Sequence, residues 1–134
     1  EGLDVCVAVN VSPRQIREPD FPATVEAALI ETGIRPDRLE LEVTESLLLD
    51  EGERAVAVFG QLRQRGVRIA IDDFGTGHSS LGRLQQLPLD RLKIDRSFVT
   101  GIDTRSENRV IAELVIKLGH ALGLAVLAEG VETE

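Results

Sequence analysis

The segment VRIAIDDFGTG at residues 67–77 runs from an alternating apolar stretch into two adjacent carboxylates. Its first apolar residues recur at every second position, which is the period of a β-strand. We therefore predict a strand over residues 67–72 that presents Asp72 and Asp73 at its carboxyl end. Gly75 and Gly77 let the following loop bend and approach a ligand closely. The alternative is an ordinary strand-to-helix turn in which the polar side chains serve only as caps.

Four similar apolar segments lie before and after this one, and helical patterns separate them. The other predicted strands cover residues 5–10, 39–43, 91–95 and 124–129, and the predicted helices cover residues 22–32, 50–65, 79–86 and 106–122. Asp50, with Glu53 three residues later, is predicted to cap the second helix, and Ser79 or Ser80 the third. One strand about every 30 residues is the spacing of a (β/α)8 barrel, so the fold class predicted is α/β, a TIM-like barrel.

The two faces of the predicted strands differ in chemistry. One face is apolar and should pack beneath the helices, from Val5, Val7 and Val9 onward. The other face carries small or charged residues, which suits a barrel interior where side chains converge. The deeper layer of this interior contains charges that could compensate one another. We expect an ion-pair layer there, formed by Glu40, Arg68 and Arg91.

Polar residues also recur at the carboxyl ends of the strands, where α/β barrels place their reactive groups. They are Asn10, Glu42, Asp72, Asp73, Lys93 and Glu129. Four carboxylates without a cation would repel one another and raise one another's pKa values. Oxygen ligands of this kind suit Mg²⁺ or Mn²⁺, and two adjacent aspartates can serve two ions in a phosphoryl displacement. The alternative for each acid is a cap or an ion-pair partner, and for Lys93 an ordinary neutralising charge.

Composition limits the partners. The 134 residues carry a net charge of −8, so the overall field does not attract nucleic acid polymers or anionic membranes. Four Phe without Trp or Tyr offer little surface for stacking single-stranded bases. No apolar run is long enough to span a membrane, and there is no secretory signal pattern. Cys6 is the single cysteine, and we predict a buried thiol in a cytoplasmic protein.

Five motifs resemble those of one known family. They are NVSPRQ from Asn10, LELEVTES from Leu39, DDFGTGHSSL from Asp72, LPLDRLKIDRSFV from Leu87 and AEGVET from Ala128. In this order they are similar to the EAL domain family, bacterial phosphodiesterases that hydrolyse cyclic di-GMP (c-di-GMP) to linear pGpG. The resemblance implies a cytoplasmic signalling enzyme, or the cytoplasmic part of a membrane-bound one, that uses two Mg²⁺ or Mn²⁺ ions.

The resemblance also implies roles for single residues. Lys93 matches the lysine that positions the attacking water, and Glu129 is a further catalytic candidate. Glu45 matches the glutamate that anchors the DFGTG loop, residues 73–77, which couples dimer contacts to metal binding in the family. Asp95 and Glu132 match further motif acids near substrate or metal. The implied metal ligands are Asn10, Glu42, Asp72, Asp73 and Glu129.

The Glu-Ala-Leu motif itself is absent, as are an upstream arginine motif and a downstream glutamine of the family pattern. We therefore expect residues 1–134 to be a partial EAL domain that contains strands three to seven of the barrel. It would lack the N-terminal strand that carries the Glu-Ala-Leu motif, whose glutamate is a metal ligand in the family, and the last strand and helix. The expected partners are c-di-GMP, a second copy bound through the DFGTG loop and other signalling domains of the parent chain. Two alternatives stay open: a non-catalytic c-di-GMP-binding or dimerising module with this fragment itself inactive, and another metal-dependent barrel enzyme.

Overall fold

The structure is a computed structural model that describes residues 5–76 and 81–131, except for the side chains of Leu81 and Arg83. Strands and helices alternate along these residues, with a short 3-10 helix at Pro36–Arg38. The strands are β1 (Val7–Asn10), β2 (Leu39–Thr44), β3 (Arg68–Phe74), β4 (Arg91–Ile94) and β5 (Ala125–Ala128). The helices are α1 (Pro13–Arg17), α2 (Phe21–Thr32), α3 (Glu45–Gln64), α4 (Leu81–Leu84), α5 (Arg96–Val99) and α6 (Ser106–Ala121).

The five strands form one parallel sheet in the order β1-β2-β3-β4-β5, so sheet order follows chain order. Parallel neighbours require a crossover, and the helices supply it. This arrangement confirms the predicted α/β class with a parallel sheet. It also brings the carboxyl ends of all five strands to the same edge, where the sequence predicts the polar residues.

The apolar face of the central strands is buried as predicted. Ile69, Ile71 and Leu92 have no exposed surface, and Val43 and Ile94 are each 1% exposed. These side chains form one cluster with residues of α3 and α6, including Phe59, Leu62 and Val115. The burial holds β2, β3 and β4 in a fixed register beneath the helices.

The first strand departs from this expectation. Val7 and Val9 are 40% and 42% exposed, and Val5 just before them is 59% exposed. The reason is that β1 pairs only with β2 and lies at the edge of the described sheet. The same position exposes Cys6, so the predicted buried thiol is wrong.

The helix after β2 begins earlier than predicted. Thr44, not Asp50, is its N-cap, because the Thr44 side chain accepts a hydrogen bond from the Leu47 backbone N–H. Burial of Leu47 and Leu48 secures this first part. Gly52 then takes φ 39° and ψ −113°, which breaks the helix close to the predicted start. The cap pattern at Asp50 therefore lies at an internal kink.

The remaining helix boundaries agree more closely. α2 and α6 match their predicted spans to within one residue. Gly33, Gly66 and Gly123 follow helices with positive φ, as predicted for left-handed helix ends. Ser79 and Ser80, the predicted start of the third helix, lie outside the described residues. Within the described part of the chain, no helix is both long and apolar enough to cross a membrane.

The predicted ion-pair layer is confirmed for two of its three residues. Arg91 Nη1 lies 3.0 Å from Glu40 Oε1, and Glu40 is only 3% exposed. Arg68 lies beside Glu40 in the β2–β3 register. Its guanidinium, however, makes no ion pair or hydrogen bond with residues 5–76 or 81–131, so the prediction for Arg68 is wrong.

Candidate metal centre

A bulge in β3 brings two neighbouring aspartates to one side of the sheet. Ile71 pairs with Leu92 and Phe74 pairs with Ile94, so two residues of β3 stand opposite Lys93 alone on β4. Those two residues are Asp72 and Asp73. An inserted residue of this kind bends the strand and redirects its side chains.

The bulge has a distinctive backbone at Asp73. Its φ of 55° is the one positive value among the described non-glycine residues, and aspartate tolerates this region better than most residues. The Asp73 backbone N–H donates to Asp72 Oδ1 over 3.0 Å. After the bulge, Phe74 returns to the buried side and is 6% exposed. Asp73 is therefore part of the strand, whereas the strand was predicted to end at Asp72.

Three carboxylates converge above the bulge. Oxygen atoms of Asp72, Asp73 and Glu129 all lie within 4.8 Å of one another. Asp72 and Asp73 come from β3, and Glu129 directly follows β5, so strands on both sides of β4 contribute. Each side chain is half-buried. Several partly enclosed carboxylate oxygens at this spacing fit a hard divalent cation such as Mg²⁺ or Mn²⁺.

Lys93 lies at the base of this cluster and is 5% exposed. Its Nζ is 2.5 Å from Glu129 Oε1, 2.7 Å from Glu42 Oε1 and 3.4 Å from Asp72 Oδ1. Burial acts to lower the pKa of Lys93, but hydrogen bonds to Glu129 and Glu42 outweigh it and raise the pKa above its ordinary value. The lysine is therefore a charged donor in this site.

The carboxyl groups affect one another in turn. Burial, and then the nearby charge of Asp72, raise the pKa of Asp73, and Asp95 and Glu129 add to this effect. Asp95 caps α5, and hydrogen bonds from the Ser97 hydroxyl and backbone N–H lower its pKa. Acidic groups crowded in this way favour the arrival of a cation, which would relieve their repulsion.

The other predicted residues lie around this cluster. Asn10 pairs in register with Glu42, but it ends the edge strand and is exposed. Glu42 is 8% exposed and contacts Lys93, outside the three-carboxylate group. Glu45 is 3% exposed, and its Oε2 accepts a hydrogen bond of 3.3 Å from the Gly75 backbone N–H. Glu132 lies outside the described residues.

With this geometry in view, comparison with known proteins identifies the family. The family model described as "EAL domain" matches residues 2–134. The chain belongs to the EAL domain family. The resemblance in the sequence motifs is thereby confirmed.

Relatives of this EAL chain include two proteins of Pseudomonas aeruginosa. The cyclic di-GMP phosphodiesterase NbdA is 42% identical over 127 residues, which are 95% of this chain and 16% of NbdA. The bifunctional diguanylate cyclase/cyclic di-GMP phosphodiesterase MucR is 41% identical over 128 residues, 96% of this chain and 19% of MucR. The EAL chain thus spans about a fifth or less of these relatives.

Solved EAL structures have the same fold. The MucR phosphodiesterase in complex with c-di-GMP matches with a TM-score of 0.91 and 41% identity, over 96% of this chain and 52% of that chain. A manganese and c-di-GMP complex of Klebsiella pneumoniae BlrP1 matches with a TM-score of 0.86 and 34% identity, over 96% of this chain and 33% of that one. The predicted fold, a portion of a TIM-like barrel, is confirmed.

Proposed function

We propose that this EAL domain hydrolyses c-di-GMP to linear pGpG in its parent protein, with the help of divalent cations. The observation that carries the proposal is the convergence of Asp72, Asp73 and Glu129 on Lys93 at the carboxyl ends of β3, β4 and β5. NbdA and MucR are named as cyclic di-GMP phosphodiesterases, which supports the same substrate here.

The donor set supports Mg²⁺ or Mn²⁺, and we propose two ions. Asp72, Asp73 and Glu129 would hold them, with Asn10 and Glu42 as further ligands on neighbouring strands. All of these donors are oxygens, which hard cations prefer. When bound, the ions supply Lewis-acid stabilisation of the charge that develops on phosphate oxygens. The manganese complex of BlrP1 supports a divalent cation at such a site.

The protein's own groups then have distinct tasks. Lys93 is charged, so it donates hydrogen bonds and orients a water or a phosphate oxygen, and it does not accept the water's proton. We assign that proton to the carboxylate of Glu129, which lies beside Lys93 Nζ. The water oxygen forms a new bond to phosphorus and the bond from phosphorus to the 3′ oxygen breaks. The 3′ oxygen leaves as a hydroxyl by taking the proton that Glu129 received, which returns Glu129 to its carboxylate form.

The remaining assignments concern the surroundings of the site. Glu45 would anchor the DFGTG loop through its hydrogen bond to Gly75. Asp95, next to Asp73, and Glu132 would act close to substrate or metal. We further propose a homodimer formed through the DFGTG loop, other signalling domains in the parent chain and a cytoplasmic location. We propose that the chain is the central part of the domain, strands three to seven; its coverage of 52% of the MucR phosphodiesterase chain supports a partial domain.

The same coverage favours a second function for the isolated piece. The five strands formed by residues 5–76 and 81–131 are fewer than the eight of a closed barrel, so the isolated chain would be an inactive binding or dimerising module. The first proposal concerns the parent protein and the second concerns the isolated chain, and turnover of c-di-GMP tests both.

The test compares the full-length parent protein with the 134-residue chain. Each is incubated with c-di-GMP and Mg²⁺ or Mn²⁺, and linear pGpG is measured by chromatography. We expect product from the parent and none from the isolated chain. An intact parent that binds c-di-GMP without forming product would overturn the hydrolase proposal. Turnover by the 134-residue chain would overturn the inactive-module alternative.

A further inference from the structure

The short helix α5 lies between the two chain segments that carry the candidate metal ligands. It follows β4 and begins after Asp95, whose carboxylate accepts the Ser97 backbone N–H over 2.8 Å. Toward β3, the Phe98 ring lies against Gly75. Toward β5, the Arg96 side chain lies against Gly130, where a Cβ would come within 2.6 Å of Arg96 Cγ. Gly130 directly follows Glu129, so α5 borders both ligand-bearing segments.

Two side chains contact Gly75. Its backbone N–H donates to the buried carboxylate of Glu45. A Cβ at this position would lie 2.9 Å from Phe98 Cε2, which is closer than side chains normally pack. Its φ of 99° also lies in the region that glycine occupies most easily. The residue is therefore glycine both for its backbone conformation and for the ring that covers it.

The position of Gly75 matters because the bulge is only two residues away. Asp73 holds a positive φ, a conformation that persists where neighbouring packing enforces it. Phe74, buried in the core, fixes one flank of the bulge. Gly75 is the next residue along the chain, and its contacts with Glu45 and Phe98 restrain it. Without the ring, Gly75 and Thr76 would keep the hydrogen bond to Glu45 and two local bonds from Thr76 to the Asp73 carbonyl oxygen, and the Phe98 side of Gly75 would be open.

We propose that Phe98 is a positioning residue for the metal ligands, since its ring packs on Gly75, whose N–H also donates to Glu45, and so maintains the bulge at Asp72 and Asp73. The inference rests on the proposed metal-dependent function of this site. The phenyl ring of Phe98 carries no atom that could bind a metal ion or donate a proton. Its effect on metal affinity passes through the backbone of residues 73–75, in the way that groups around a metal site orient the direct ligands.

Hydrogen bonds to α6 hold the short helix α5 in place. The Asn108 Nδ2 group on α6 donates to the Ser97 and Thr100 carbonyl oxygens, each over 3.0 Å. These bonds cap the last turn of a helix of only four residues and tie it to the longer α6. These hydrogen bonds therefore connect α6, through α5 and the Phe98 ring, to the bulge at Asp72 and Asp73.

The test compares Phe98→Ala with Val99→Ala in the full-length parent protein. Val99 is on the same helix and also packs on the core, whereas the three atoms nearest to a Cβ at Gly75 all belong to Phe98. Mn²⁺ binding is measured by calorimetry after chelator treatment, and amide hydrogen exchange is measured without metal for peptides that include residues 73–76. We expect about tenfold weaker Mn²⁺ binding and faster exchange at residues 73–76 for Phe98→Ala. Val99→Ala should bind Mn²⁺ within about twofold of wild type.

Phe98→Leu provides a milder variant that keeps a bulky side chain on Gly75. We expect it to recover most of the Mn²⁺ affinity, and it also serves if Phe98→Ala does not fold. Equal losses for the Phe98 and Val99 variants, or unchanged exchange at residues 73–76, would overturn the positioning role. A parent protein that binds Mn²⁺ but never hydrolyses c-di-GMP would overturn the proposed function and leave this comparison of metal affinities intact.

Discussion

Two charged layers lie on the same face of the sheet, and they differ in charge balance. In the lower layer, Glu40 meets Arg91 in a pair of opposite charges separated by 3.0 Å. In the upper layer, one lysine faces the four acids Glu42, Asp72, Asp73 and Glu129. The two charges of the lower pair neutralise each other. Among the described residues, the acids of the upper layer outnumber its lysine, and a bound cation would relieve this excess of negative charge.

In the proposed function, this difference separates ionisable groups that support the fold from those that would bind metal or substrate. A buried ion pair can be broken only at the cost of leaving one charge unpaired, so it supports the fold once it is formed. Repelling carboxylates weaken the fold, and they persist where they serve binding or catalysis. The two layers should therefore respond in opposite ways to the removal of a charge.

The largest expected effect follows from Lys93→Ala in the full-length protein. Loss of the charged donor should lower kcat for c-di-GMP by about 10²–10³, the range for removing one stabilising hydrogen-bond donor. Mn²⁺ binding should be largely retained because the carboxylates remain. Steady-state kinetics and calorimetry measure the two quantities. Lys117→Ala removes an exposed lysine of α6 as the control. Abolished Mn²⁺ binding with an unchanged rate would contradict the role of Lys93.

Arg91→Ala tests the lower layer. It should reduce the free energy of unfolding by roughly 2–3 kcal/mol, below the range for fully buried pairs because the Arg91 side chain is 29% exposed. The buried Glu40 carboxylate, whose Oε2 already lacks a hydrogen-bond partner among the described residues, would lose its counter-charge. Urea unfolding of the metal-free protein measures the change.

The matched control for the lower layer is Arg68→Ala. Its guanidinium has no ion pair within the described ranges, so we expect a change within about 0.5 kcal/mol. Mn²⁺ affinity should stay within about twofold for both variants, since outer residues lower metal affinity only where they orient ligands. Equal destabilisation by the two variants would show that Glu40 does not select Arg91.

The smallest expected effect has the opposite sign. Asp73→Asn removes one of the repelling charges at a position whose positive φ asparagine also tolerates. We expect the metal-free protein to gain about 0.5–1 kcal/mol in unfolding free energy and to lose Mn²⁺ affinity. Thermal unfolding with and without Mn²⁺ measures both. Asp103→Asn, at an exposed position, should change neither, and a destabilised metal-free Asp73 variant would refute the charge-balance interpretation.

Residue periodicity was sufficient to predict the sheet and the polar edge of its strands. Alternation around Ile69 and Ile71 identified the buried face, and the same parity placed Glu42, Asp72 and Lys93 on the other. Motifs within the strand ends identified the family. These features depend on the local periodicity of apolar and polar residues, which determines the buried face of a strand or helix.

The bulge could not be predicted in the same way, because it depends on how β3 pairs with β4. One signal was present: Phe74 follows Ile71 by three residues, so the apolar alternation shifts by one. The start of α3 was missed because tertiary packing of Leu47 stabilises a turn before the apparent cap. The exposure of β1 depends on its place at the edge of the sheet.

The central claim is that the upper layer binds metal. Its most direct test is a Mn²⁺ titration of the chelator-treated full-length protein, measured by calorimetry. Wild type is compared with a variant that carries Asp72→Ala and Asp73→Ala. We predict saturable Mn²⁺ binding by wild type. In the variant, which lacks two proposed ligands, we predict that Mn²⁺ affinity falls by at least about a hundredfold. Equal Mn²⁺ binding by the two proteins would contradict the assignment of the upper layer as a metal centre.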